Sequence, residues 1–410
     1  MKTIAGTVGV GLWLRSGMAM ALVGLGGCGK VPTWSELTSG QSNPPPANKV
    51  VPGAVTPQAG PHAGPQADDP AQVIAWFKGL PPLQITDQTI ARVTSLKTGL
   101  EAIREINANG SAVTDAGLAD LHKLPALEKL SLDNTPITNE GLKSLKRVPS
   151  LQSLSLNSTR VSAAGLEPLT SLAGLKRLEL MGNHLSDADF EAISQLPALE
   201  VLYLSRVMEL SDAGLNMVCQ VSSLKTLVLD ECLGLTDKGL VALAKLPGLE
   251  ELSLAKTSIA GVGIGNASSK GGLKALKSLT VSYAPITLVG ARAINSLKTL
   301  EVMNVDHIPG MNDAGLVELV EGMKDLKSLN LEASKGIFGA GFAKMKAMTG
   351  SLEQLNLKDT GVTDQALGLL KNHKQLKFID LSNTSVSLIG VQQFKRLVPT
   401  CELLFAGTRH

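Results

Sequence analysis

Leu127-Glu-Lys-Leu130-Ser-Leu132-Asp-Asn-Thr135-Pro-Ile137-Thr-Asn-Glu-Gly141-Leu142 is followed, 24 residues on, by Leu151-Gln-Ser-Leu154-Ser-Leu156-Asn-Ser-Thr159-Arg-Val161-Ser-Ala-Ala-Gly165-Leu166. The two lines match position by position. Similar lines begin at Leu175, Leu199, Leu224, Leu249, Leu276, Leu300, Leu326, Leu352 and Leu376, with an irregular one at Leu100, at spacings of 24 to 27 residues. A fixed period of this size means a stack of supersecondary units, each unable to bury its apolar face alone.

Each unit reads as strand, turn and helix. In Leu130-Ser-Leu132 the alternation turns the leucines inward and the serine outward on a parallel sheet. Thr114-Asp115, Ser186-Asp187, Ser211-Asp212, Thr236-Asp237 and Thr363-Asp364 each set a hydroxyl at a helix N-cap and a carboxylate at the positive end of the helix dipole. Leu142 and Leu145, or Leu240 and Leu243, then pack the helix back on the strand. Leu-Pro at 124–125, 196–197 and 246–247 ends the helix before the next strand.

Over about three quarters of the chain this consensus resembles the ribonuclease-inhibitor-like group of leucine-rich repeats, and within it the cysteine-containing and GALA-type variants. The resemblance implies an α/β solenoid of about 12 repeats, a horseshoe with a parallel sheet on the concave side, helices on the convex side, and a protein as partner. Twelve strands about 4.8 Å apart give an inner face about 50 Å long. Some GALA-type relatives are effectors that pair the repeats with an F-box, but no such segment is recognisable before residue 100.

Residues 1–27 read as an export signal: Lys2 and Arg15 precede an apolar run from Met18 to Leu25, ending in Leu25-Gly26-Gly27-Cys28. Leu-Gly-Gly-Cys looks like a bacterial lipobox, which implies lipidation of Cys28, a membrane anchor and a place in the cell envelope. Nine prolines and four glycines fall within residues 31–70. No core can form from that composition, so residues 28–70 are expected to be an anchor and a linker spanning about 35 Å as flexible coil. Asp68-Asp69-Pro70 looks like a helix start. Residues 71–99, with Val73, Ile74, Trp76 and Phe77, are expected to form an N-terminal cap helix and a degenerate repeat. The repeats are then assigned to 100–397 and a C-terminal cap to 398–410, where Cys401-Glu-Leu-Leu-Phe405 reads as a last strand.

Without residues 1–27 the chain would carry 36 basic and 36 acidic residues. Neutrality argues against nucleic acid and against electrostatic docking on membranes. Aromatic residues make up 3% of the chain, and all three tryptophans precede the repeats, so stacking platforms for bases or sugars are scarce. The histidines, His62, His122, His184, His307, His373 and His410, form no metal-ligand or triad spacing, and His122 and His373 are expected to be exposed. Cys232 sits where other units carry threonine. With Cys219 and Cys401 it makes no C-x-x-C pair, which argues against zinc, and a Cys219–Cys232 bridge stays open. The repeated aspartates are read as one helix cap per unit, too far apart to share an ion. Gly261-Val-Gly263-Ile-Gly265 lacks the Lys-Ser/Thr ending of a phosphate loop and is expected to be an irregular loop replacing one unit's helix. The pattern thus calls for no catalytic residue, no cofactor, no metal and no small-molecule substrate.

A binding site is therefore sought on the inner face. The fifth residue of each unit runs Ser131, Ser155, Glu179, Tyr203, Val228, Ser253, Thr280, Asn304, Asn330, Asn356 and Asp380, a small and polar row with an apolar island at Val201, Tyr203 and Val228. Tyrosine in such a face is an anchor of the kind that concentrates binding energy. Glu179, Val201, Tyr203, Val228, Asp230 and Asn304 are the candidate contacts. The function expected is a non-enzymatic, membrane-anchored protein-binding module. The alternative is an envelope scaffold that associates laterally through its convex side.

Overall fold

A computed structural model of the chain describes residues 69–162 and 165–409. Cys28, the signal and most of the linker region lie outside the described residues.

Among the described residues fourteen strands form one open sheet in strict chain order. The first thirteen, from Glu105–Asn107 to Glu402–Phe405, pair in parallel, and Thr408–Arg409 closes the array as an antiparallel hairpin. Each repeat strand is three residues long, and its middle side chain enters the core. Leu130, Leu154, Leu178, Leu202, Leu227, Leu252 and Leu279 form one such column, all at most 1% exposed. Burying a leucine contributes about 1.5–3 kcal/mol, and a single core runs from Val73 to Leu403. The fold is the expected horseshoe solenoid of leucine-rich repeats.

The register moves the first unit. Ile106 faces Leu130, so that unit starts at Ile103, 24 residues before Leu127, and not at Leu100. Leu100–Ala102 instead forms a 3₁₀ turn ahead of the strand. The first described helix begins at Pro70, capped by the Asp69 carboxylate, and buries Val73, Ile74 and Phe77.

The N-cap hydroxyls behave as their chemistry requires: those of Thr114, Thr138 and Ser211 accept from the backbone two residues on. Thr363 makes no such bond. The carboxylate after each cap does more than face a dipole. Asp212 accepts from the Thr236 backbone N–H at 2.8 Å and from its hydroxyl at 2.6 Å, one repeat away. Asp87 holds Thr114, Asp115 holds Thr138, and Asp364 holds Ser387 in the same way. Glycine two residues past that aspartate position leaves room for the incoming carboxylate. A Cβ on Gly239 would lie 2.0 Å from Asp212 Oδ1, and one on Gly390 2.1 Å from Asp364 Oδ1. The motif Thr/Ser-Asp-x-Gly is thus a clamp between neighbouring repeats.

Where Gly261 and Leu288 replace the aspartate, small residues take over. Val262–Ser269 is a helix, correcting the expectation of an irregular loop. Its glycines are there for close approach: a Cβ on Gly263 would lie 2.2 Å from the Asp237 carbonyl oxygen, and one on Gly265 2.5 Å from Ala293 Cβ. Glycine in a helix costs up to about 1 kcal/mol, which the packing offsets.

One further expectation is corrected, and one open question is answered. His373 is buried at 2% exposure, its ring nitrogens facing the carbonyls of Leu370 and Met345, because the turn after Leu370 points inward. Cys219 and Cys232 are not bridged; both are buried free thiols, as is Cys401. Cys232 does occupy the buried threonine turn, where Thr135 and Thr257 bond the carbonyls of Leu132 and Leu254, but its thiol reaches back to Leu204 O at 3.1 Å in the preceding repeat.

Candidate functional site on the concave sheet

Strand pairing sets the fifth-position residues side by side in the order read from the sequence. Glu179 lies beside Tyr203 and Tyr203 beside Val228, while Val201 lies beside Arg177. Tyr203 and Val201 are half-buried, and Val228 is 8% exposed and offers little area.

The island is held by charge more than by apolar contact. The Arg177 guanidinium lies 4.7 Å over the Tyr203 ring, close enough for a cation–π attraction of about 0.5–2 kcal/mol. Its Nε donates to Glu179 Oε1 at 2.7 Å. Burial lowers the Arg177 pKa, but Glu179 and Tyr203 outweigh it and the net direction is upward, so the cation is firmly held. Asn157 Nδ2 bridges Glu179 Oε2 and Ser155 Oγ, each at 3.1 Å, and Ser155 donates to Asp133. A continuous polar relay therefore runs Asp133, Ser155, Asn157, Glu179, Arg177, Tyr203 across four repeats. Fixed side chains lose little entropy on binding, which favours such a relay as a contact surface.

Asp230 and Asn304 stand apart from this cluster. Asp230 is spent on the next repeat, accepting from Ser253 Oγ and from the Ala255 backbone N–H at 2.9 Å. Burial raises its carboxyl pKa despite those bonds. Asn304 is 7% exposed, three strands beyond Val228, and donates to Thr280 Oγ1 at 3.1 Å. Asn330 and Asn356 repeat that arrangement with Asp306 and Glu332, which stiffens the floor of the later repeats. The residue that the sequence reading undervalued is Arg177. Its signal was available: it lies two positions before Glu179 and directly across from Val201. Among the described residues no group of three or more His, Cys, Asp or Glu side chains could hold a metal ion.

The leucine rich repeat family pattern matches residues 149–206. An internalin (inlF) from Listeria monocytogenes superposes with a TM-score of 0.52 at 16% identity, covering 84% of this chain and 96% of that one. An internalin C2 (inlC2) from the same organism matches at a TM-score of 0.39 and 23% identity over 53% of this chain and 84% of that one. No curated protein matches in sequence. The class of protein is thus a leucine-rich repeat solenoid, an architecture whose curvature creates extended concave binding surfaces.

Proposed function

We propose that this chain is a non-enzymatic binding module that holds another protein on its concave sheet, tethered to the bacterial cell envelope through a lipid on Cys28. The observation that carries the binding reading is the preorganised relay ending in Arg177 and Tyr203, a half-buried aromatic and cation at the centre of a long, shallow face. Leu25-Gly-Gly-Cys28 carries the anchoring reading, and the charge-neutral remainder disfavours nucleic acid. The 24-residue spacing supports placement in the ribonuclease-inhibitor-like, GALA-type group.

Crosslinking capture from native envelopes tests the binding reading, comparing wild type with Tyr203→Ala and Glu179→Lys. A specific protein lost in both variants is the expected result; an identical capture in all three refutes the concave site. Mass spectrometry of the mature N-terminus tests the anchor: an unmodified peptide spanning Gly27 and Cys28 refutes it.

One observation favours the scaffold reading as a second possibility. Leu288, Val289, Phe338, Leu388 and Ile389 are 49–65% exposed at or just before the helix starts of later repeats. Sedimentation that shows concentration-dependent assembly, abolished by Val289→Lys with Ile389→Lys, would support lateral association.

A further inference from the structure

The eighth residue of every unit has a left-handed backbone, including Gly110, Asn134, Ser158, Gly182, Arg206, Glu231, Lys256, Tyr283, His307, Ala333, Asp359 and Asn383. That conformation is disfavoured for residues with bulky side chains and is readily adopted by glycine and asparagine. Small or turn-favouring residues occupy it at both ends of the array. Five consecutive central repeats instead carry Arg206, Glu231, Lys256, Tyr283 and His307. Their backbone N–H groups are already used in the sheet, each donating to the next repeat at 2.8–3.0 Å, for example Arg206 to Asp230 O and Tyr283 to Asp306 O. The long side chains are therefore unnecessary for the turn itself.

They also form one connected strip. Glu231 is shared by Arg206 at 3.3 Å and Lys256 at 3.2 Å. Lys256 Nζ lies 5.7 Å from the Tyr283 ring centroid, and Tyr283 stacks on His307 with centroids 4.2 Å apart and planes 12° apart. His307 Nδ1 meets Asp306 at 3.0 Å. Arg206 and Lys256 are the more exposed members and share a single rim carboxylate, so the exposed charge there is net positive. Two residues past the first two members, at equivalent positions of adjacent repeats, Met208 and Leu233 are 53% and 58% exposed.

We propose that this rim, from Arg206 to His307 with Met208 and Leu233 beside it, is the docking strip for an extended acidic segment of a partner protein that also bears apolar side chains. The proposal rests on the protein-binding reading above and names its partner chemistry. A carboxylate from the partner compensates Arg206 and Lys256, apolar side chains cover Met208 and Leu233, and the Tyr283–His307 stack offers a rigid aromatic edge. Five repeats span about 19 Å, the length of about six extended residues.

Twelve-residue peptides displayed on phage are selected on the full chain. Binding of the winners is then measured by fluorescence anisotropy against wild type, against Arg206→Glu with Lys256→Glu, and against Arg206→Gly, Lys256→Gly and Tyr283→Gly combined. The expected winners are rich in Asp and Glu with Leu, Ile or Phe, and lose at least about tenfold in affinity in both variants. The glycine variant is expected to melt no lower than wild type, since glycine relieves the left-handed backbone. A lower melting temperature there means the side chains serve the fold and overturns the proposal. Winners that survive both rim variants but are lost in Tyr203→Ala overturn the strip and leave the concave floor as the site. Basic winners also overturn it, and the absence of any winner overturns both the strip and the binding reading on which it rests.

Discussion

The inter-repeat clamp can be tested by a double-mutant cycle on Asp212 and Gly239. Asp212→Ala removes two charge-assisted hydrogen bonds to Thr236, at 2.8 and 2.6 Å. Such bonds contribute about 1.5–3 kcal/mol each when well buried; with Thr236 exposed to water, a total loss of about 2 kcal/mol is expected. Gly239→Ala leaves Asp212 intact but places a methyl 2.0 Å from Oδ1, 2.2 Å from Cγ and 2.6 Å from Cβ. All three atoms belong to one short side chain, so the carboxylate must swing out, losing the same two bonds and adding strain, for about 3 kcal/mol in total. In the double variant the Oδ1 and Cγ contacts are gone, but the Cβ that alanine keeps at 212 still stands 2.6 Å from the new methyl, so a residual strain of about 1 kcal/mol remains. The cost should therefore be about 3 kcal/mol, below the additive value of about 5, a coupling of about 2 kcal/mol. Urea unfolding of the full chain followed by circular dichroism measures each corner, with the slope monitored because repeat arrays can lose cooperativity. A double variant as unstable as the sum of the single changes would refute the argument that the glycine exists to admit the carboxylate.

Three further outcomes follow from buried titratable groups. The Cys219, Cys232 and Cys401 thiols are pushed up to about 12 by burial, so at pH 8 their thiolate fraction lies on the order of a thousandfold below that of a free cysteine; rapid labelling of any of them by Ellman's reagent in the native protein would contradict this. Asp230 has its carboxyl pKa raised by burial, so its contribution is complete below the unfolded value and is lost as pH rises through the folded one. Asp230→Asn, which can still accept from Ser253 and Ala255, should then stabilise the protein at neutral pH and have no effect in acid; destabilisation at pH 7 would count against it. His373 has its pKa lowered by burial, against the pull of the Met345 and Leu370 carbonyls. Its unfolded form takes up a proton first, so stability should fall as pH drops below about 6.5, and His373→Gln should remove that component of the urea-midpoint profile; an unchanged profile would refute it.

Much of this protein is written locally. The leucines at the first, fourth and sixth positions, the Thr or Ser before each Asp and the fifth-position row are legible because strand alternation and helix capping act over a few residues, and the structure sets them in the order the spacing implies. Glu179, Val201 and Tyr203 could be placed on one face from the same pattern. What the sequence could not decide is where a side chain goes once the coil has closed. The carboxylates of Asp115 and Asp212 find their partners 23 and 24 residues along the chain, and the reason for Gly239 lies in the preceding repeat. Ile103 rather than Leu100 opens the array because pairing with the strand at Leu130, not the nearest leucine, sets the register. The burial of His373, the helix over Val262–Ser269 and the stacking of Arg177 over Tyr203 are also products of packing between repeats. Periodicity specifies the coil; only its stacking determines which polar groups meet across the period.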